Sequence, residues 1–274
     1  MSTSLPLLLE AEQLAELLNS GEHPLLILDT SSADNHAKHH IPSAIHIEPK
    51  ALQCGTAPTP GKLPSVAQLT ELFSRVGLTP NQHIIAYDDE GGGWAGRLIW
   101  TLDVLGHRHY SYLNGGLHAW VNEGHPLETT INQNTPSNFA VTIDQNPIAE
   151  VEDIVARLGD DDFAIWDARS AGEYDGSKVL AKRGGHIPGA VNLDWLELMD
   201  RDRNMRLVDL ELLQQRLNSL GLSQDKHIVT HCQTHHRSGL SYLAMKVLGY
   251  QKIKGYHGSW SEWGNREDTP IAND

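Results

Sequence analysis

The sequence predicts an α/β protein built as two copies of one unit, each a largely parallel sheet flanked by helices. Two observations carry this. Short aliphatic or β-branched runs alternate with helical stretches along the chain, the pattern of successive β–α units. The second half also replays the first: Gly77/Gly221, His83/His227 and Asp88/Cys232 are each separated by 144 positions. A solenoid would need more and shorter repeats.

In order, a helix over about 10–18 leads to a strand over 25–29 and a loop ending in His40-Ile41-Pro42-Ser43-Ala44-Ile45. A helix over 66–75 precedes a strand over 83–87 that reaches Asp88, and a Gly-rich loop then opens a helix over about 94–105, with Gly115-Gly116-Leu117-His118-Ala119-Trp120 following. The second copy has a helix over 151–158, a strand over 164–167, and His186-Ile187-Pro188-Gly189-Ala190-Val191 in the place of the first His-Ile-Pro run. A helix over 207–217, a strand over 227–231 and a helix over 240–248 that stops at Gly249 complete it. Gly258-Ser259-Trp260-Ser261-Glu262-Trp263 matches the first copy's closing segment, and Trp260 and Trp263 read as core. The polar stretch 129–146, rich in Asn, Gln, Thr and Pro, reads as a linker.

Composition narrows the function. The chain has 274 residues, 21 Lys plus Arg against 35 Asp plus Glu, and a formal charge of −14. This balance speaks against a nucleic-acid surface, which needs a basic patch, and any anion site must be built locally. No apolar run approaches a membrane span of ~18 residues. Leu5-Pro6-Leu7-Leu8-Leu9 is too short and lacks the basic flank of a secretory signal, so the expected location is the cytoplasm. Two cysteines, Cys54 and Cys232, make no disulfide framework and fit no zinc motif. Most of the 16 histidines are scattered singly and read as surface or hydrogen-bonded imidazoles.

The chemistry concentrates at one strand end. Cys232 follows the run Ile228-Val229-Thr230-His231 and precedes a helix, where backbone N–H groups and the helix dipole converge and favour a thiolate nucleophile. The stretch from Cys232 to Arg237 should curl with its N–H groups inward, making a nest for an anion or a charged sulfur. The repeat is an internal control: the position of Cys232 is held in the first copy by Asp88, and the loop there is acidic and reads as one residue longer. The fold therefore does not need the thiol; the second copy has the chemistry and the first walls the site. Arg237 reads as an anion binder, because a cation at a helix start otherwise opposes the dipole. His235, His236, Thr234 and Gln233 are candidate substrate contacts in the same loop; Thr234 offers a hydroxyl to the sulfur or caps the loop. His231 should point away from the cavity into packing. Cys54 reads as a bystander, Trp195 as either cleft or core, and Arg97 as a candidate to reach the cleft between the halves.

On these residues the chain resembles the tandem-domain rhodaneses, the thiosulfate sulfurtransferases. The likeness covers both halves and rests on Asp167…Gly185-His186-Ile187-Pro188-Gly189-Ala190, the cysteine loop, and the closing Gly-x-x-x-x-Trp. It implies two rhodanese-like domains, each a five-stranded, largely parallel sheet flanked by helices. Residues 1–128 would be the non-catalytic domain, 129–146 the linker and 147–274 the catalytic domain. It also implies a monomer without metal or organic cofactor, and a persulfide on Cys232. The partners would be a small anionic donor (thiosulfate) and a thiophilic acceptor: cyanide in an assay, a thiol or a protein in the cell. The loop Cys232-Gln233-Thr234-His235-His236-Arg237 departs from the commonest versions and is similar to a less common bacterial variant. Alternatives are a 3-mercaptopyruvate sulfurtransferase, a persulfide carrier that delivers sulfur to a partner protein, and a cysteine phosphatase. For the last, the four residues between Cys232 and Arg237 are one too few to wrap a tetrahedral phosphate, and no Asp is identifiable as its general acid.

Overall fold

The computed structural model describes residues 5–21 and 23–273. The apolar runs become parallel strands buried on both faces, as near-continuous hydrophobic strands do in α/β sheets. In the first half these are β1 (Leu8–Leu9), β2 (Leu25–Asp29), β3 (Ile45–His46), β4 (His83–Tyr87) and β5 (Tyr110–Leu113), arranged β1-β5-β4-β2-β3. In the second half they are β6 (Ile148–Ala149), β7 (Phe163–Asp167), β8 (Ala190–Asn192), β11 (His227–His231) and β12 (Ile253–Tyr256), arranged β6-β12-β11-β7-β8. Matching each strand to its counterpart gives one order for both sheets. All their pairings are parallel. A short antiparallel pair, β9 (Met199–Asp200) with β10 (Arg206–Leu207), lies outside the sheets.

Helices α1 (Ala11–Ser20), α2 (Ala33–Lys38), α3 (Val66–Arg75), α4 (Gly93–Val104) and α5 (Gly116–Asn122) belong to the first half. Their counterparts are α6 (Val151–Ala156), α7 (Ala171–Tyr174), α8 (Leu210–Ser219), α9 (Arg237–Val247) and α10 (Ser259–Trp263). Capping explains several boundaries. Ser65 and Gln68 close a capping box on α3, and Gly21, at φ 62°, ends α1 in the left-handed region.

Three expectations need correction. The helix read over 207–217 starts later, because Leu207 pairs in β10 and Asp209 caps α8 by accepting the Leu212 N–H at 3.0 Å. Helix α9 begins at Arg237, three residues before the expected start, with the Gly239 N–H already donating to the His236 carbonyl at 2.9 Å. The first-half loop is not longer than the second: strand ends and helix starts are 144 positions apart in both, so residues 88–92 and 232–236 are equal loops.

The stretch 129–146 carries no helix or strand, but it is docked rather than free. Asn134 Nδ2 donates to the Val76 carbonyl at 3.0 Å, the Ser137 N–H to Ser74 at 2.9 Å, and the Phe139 ring sits 6.4 Å from Phe73. Trp260 and Trp263 are core, as expected. Among the described residues, no helix is long and apolar enough to cross a membrane.

The halves meet along α4 and α9, and one apolar core runs through both. The crossing is at Gly96 and Gly239: a Cβ on Gly96 would lie 2.4 Å from the Gly239 carbonyl carbon and oxygen. Alanine at position 96 would gain about 1 kcal/mol of helix propensity, but its methyl meets backbone that has no rotamer to yield. Gly96→Ala is therefore expected to destabilise the protein by at least about 1 kcal/mol through overpacking. An unchanged midpoint in chemical denaturation would contradict the crossing.

Candidate active site

Strand β11 runs between β12 and β7, so its carboxyl end opens where ligand crevices form in α/β sheets. Cys232 is the first residue beyond it and is 1% exposed. The loop is clamped from behind by α10: the Cys232 carbonyl accepts the Trp260 N–H at 2.9 Å and the Gln233 carbonyl the Ser261 N–H at 3.0 Å. The Cys232 N–H donates to Ser259 Oγ at 3.3 Å. The sulfur accepts hydrogen bonds from the N–H groups of Thr234 and Ser238 and from the Ser238 hydroxyl. Burial pushes the thiol pKa up, but the Arg237 charge and these hydrogen bonds outweigh it, and the pKa falls below its ordinary value.

The first half shows what this loop shape holds. Asp88, fully buried, accepts N–H groups from Glu90 at 3.2 Å, Gly91 at 3.1 Å, Gly92 at 2.8 Å and Ala95 at 2.9 Å. Glu90 and Thr234 are equivalent positions, so the same N–H that serves the Asp88 carboxylate serves the Cys232 sulfur. One half fills its nest permanently with a carboxylate; the other lends it to a thiolate. Burial and the nearby Glu90 still raise the Asp88 carboxyl to about 6.

The expected loop contacts separate into three groups. Thr234 serves the sulfur with its backbone N–H, while its carbonyl accepts from Gln53 Nε2 at 3.0 Å across the domain boundary. Arg237 faces the sulfur but is not a free cation: Nη1 and Nη2 each donate to Glu173 at 2.8 Å. Burial would raise the Glu173 carboxyl, yet Arg237 draws it down to about 2. Gln233 reaches outward, donating to the Leu180 carbonyl at 3.2 Å. His236 stacks on Trp94, 4.2 Å between centroids, and bonds the Glu90 carboxylate; Trp195 stands 5.6 Å from it, on the wall between the halves.

His235 is the correction. The loop needs one residue in the left-handed region, and His235 takes it at φ 55°, as Gly91 does at φ 95° in the first half. This turns the ring inward: it is fully buried, edge-on to Trp100 at 4.6 Å, and packed against Gly255, where even a methyl would lie 2.2 Å from Nε2. Its Nδ1 lies 2.7 Å from Ser238 Oγ, so an Nδ1–H tautomer leaves the serine proton for the sulfur. Burial and the Arg97 charge hold the ring's pKa well below the ordinary value, which keeps it neutral.

Two residues at the site were not foreseen as such: Glu173 and Ser238. Glu173 carried a signal, because Ser170 and Glu173 form the S-x-x-E capping box that starts α7. Ser238 carried only its place beside Arg237. His231 is buried against Asp167, 3.5 Å away, as packing predicts.

A family profile for the Rhodanese-like domain matches residues 10–123 and 150–266. The chain belongs to the rhodanese-like family. A thiosulfate sulfurtransferase of Azotobacter vinelandii is 50% identical over 98% of this chain and 97% of its own. A protein of the same name from Pseudomonas aeruginosa is 47% identical over 98% of both. Among solved structures, an EanB variant in complex with ergothioneine superposes with a TM-score of 0.87 at 20% identity, covering 97% of this chain and 69% of that one, a likeness of fold alone.

Two outcomes follow from the Arg237–Glu173 pair. Arg237→Ala should shift the pH profile of Cys232 alkylation by iodoacetamide to higher pH; an unmoved profile would deny the arginine its role. Glu173→Gln should cost about 3–5 kcal/mol, since it leaves a largely buried guanidinium unpaired. The folded pKa of Glu173 lies below the unfolded one, so its contribution is present above pH ~4.5 and is lost as pH falls towards 2. Denaturation curves across that window should decline in the wild type more steeply than in the variant.

Proposed function

We propose that the chain is a thiosulfate sulfurtransferase in which Cys232 carries the transferred sulfur. The observation that carries this is the buried cysteine sulfur seated in a nest whose twin holds a carboxylate. The site is built for one negatively charged atom at the end of β11. The names of the two bacterial relatives, matched along nearly their whole length, supply the donor.

In the first half-reaction the Cys232 thiolate attacks the outer sulfur of thiosulfate. A new S–S bond forms, the old one breaks, and sulfite leaves with its electron pair. The enzyme is left with Cys232–S–S⁻. In the second, a thiophile attacks the terminal sulfur and the Cys232 thiolate departs; with cyanide the product is thiocyanate. This is covalent catalysis with ping-pong kinetics.

Thr234, Ser238 and Arg237 hold the sulfur, and His236 and Gln233 form the rim that donor and acceptor pass. His235 is a positioning residue acting through Ser238. Residues 1–128 are the non-catalytic domain, 129–146 the linker and 147–274 the catalytic domain of a cytoplasmic monomer. The loop between Cys232 and Arg237 is too short for the phosphatase reading.

The intact protein should gain the mass of one sulfur atom on incubation with thiosulfate, and Cys232→Ala should gain none. No gain in the wild type, or a gain that survives the substitution, would remove the proposal. Steady-state comparison of thiosulfate with 3-mercaptopyruvate should favour thiosulfate; the reverse preference would reassign the donor.

A further inference from the structure

Arg97, in the half without Cys232, is a buried cation with no carboxylate partner among the described residues. It lies in the second turn of α4 and is fully buried. A guanidinium has five N–H donors. Here Nη2 donates to the Leu52 carbonyl at 2.8 Å; among the described residues, Nε and Nη1 have no hydrogen-bond partner. Its charge sits over the Trp100 ring, 4.5 Å from the centroid. The other fully buried arginine, Arg169, is locked to Asp167 at 2.9 and 3.0 Å. A buried, unpaired cation is costly to keep.

The surroundings of Arg97 lead to the cysteine loop from three directions. Gln53, next to its acceptor Leu52, bonds the Thr234 carbonyl. Trp100, against which its charge sits, meets the edge of His235. Its own backbone nitrogen would lie 2.5 Å from a Cβ on Gly239, one residue past Ser238, whose N–H and hydroxyl bond the sulfur. Burial draws its pKa down to about 9, and the nearby Cys232 works against that fall. Arg237, by contrast, already has its carboxylate.

We propose that Arg97 binds the anionic end of the sulfur donor, so that the non-catalytic half supplies the substrate-binding cation of the site. Its free Nε–H and Nη1–H can meet the oxygens of a sulfonate-like group, the pairing for which a guanidinium is better suited than an ammonium. Arg237 tunes the sulfur and Arg97 receives the donor. The assignment deepens the sulfurtransferase reading and rests on it.

The test uses the full chain with Arg97→Met, which keeps an apolar stem over Trp100, and Arg97→Lys, which keeps a charge without the fork. Circular dichroism and thermal midpoint establish the fold. Arg97→Met should raise KM for thiosulfate roughly tenfold to a hundredfold, the loss of one charge-assisted hydrogen bond, with a smaller change in kcat; Arg97→Lys should recover part of it. Independently of turnover, the ratio of Cys232 alkylation by anionic iodoacetate to that by neutral iodoacetamide should fall several-fold in Arg97→Met. A folded Arg97→Met with wild-type KM and ratio would overturn the proposal. Should that variant not fold, wild-type KM and ratio in Arg97→Lys would do the same. A wild type that transfers no sulfur from thiosulfate would sink the functional reading instead, and the alkylation ratio would still decide whether Arg97 receives anions.

Discussion

Helices α4 and α9 cross where neither can carry a side chain, and the site depends on that closeness. Each helix opens on a strand-to-helix loop, one with Asp88 and one with Cys232 at its start. Because the backbones touch at Gly96 and Gly239, the two loops come face to face. Glu90 of one then reaches His236 of the other, and Trp94 stacks on the same ring. Residues from the half without Cys232 thus become walls and, in Arg97, a charged group beside the cysteine loop.

Within that frame the electrostatics are local. A chain with a net charge of −14 presents an unfavourable field to an anion, and the site overcomes it at short range. N–H groups, a hydroxyl and the Arg237 cation act on a sulfur with almost no exposure. In such surroundings each interaction is stronger than in water. The Arg237–Glu173 pair keeps the cation's geometry fixed, at the cost of making it a poor first contact for an incoming anion.

The repeat made much of this legible. A constant spacing of 144 between equivalent residues matched the strands of the two halves and set the cysteine at a strand end. It could not say which way a loop side chain turns. His235 looked like a substrate contact because it lies mid-loop, but its left-handed backbone swings the ring into the interface. Partners distant in sequence were also hidden. Glu173 meets Arg237 from 64 residues away, and local pattern carries no information on that pairing. The helix expected over 207–217 failed for a local reason: apolar residues at its start served a strand pair instead.

The nest around Cys232 has a consequence for the whole catalytic cycle. In the proposed reaction the resting enzyme presents a thiolate and the loaded enzyme a persulfide, which differ by one neutral sulfur atom. The ion held by the loop thus has the same charge before and after each half-reaction. Donors fixed for one state serve the other without being rearranged, which is the economy that preorganised dipoles offer. In the matching loop the Asp88 carboxylate occupies the same kind of nest without any turnover. Loading and unloading are then isoelectric steps, and the loop stores sulfur without storing charge.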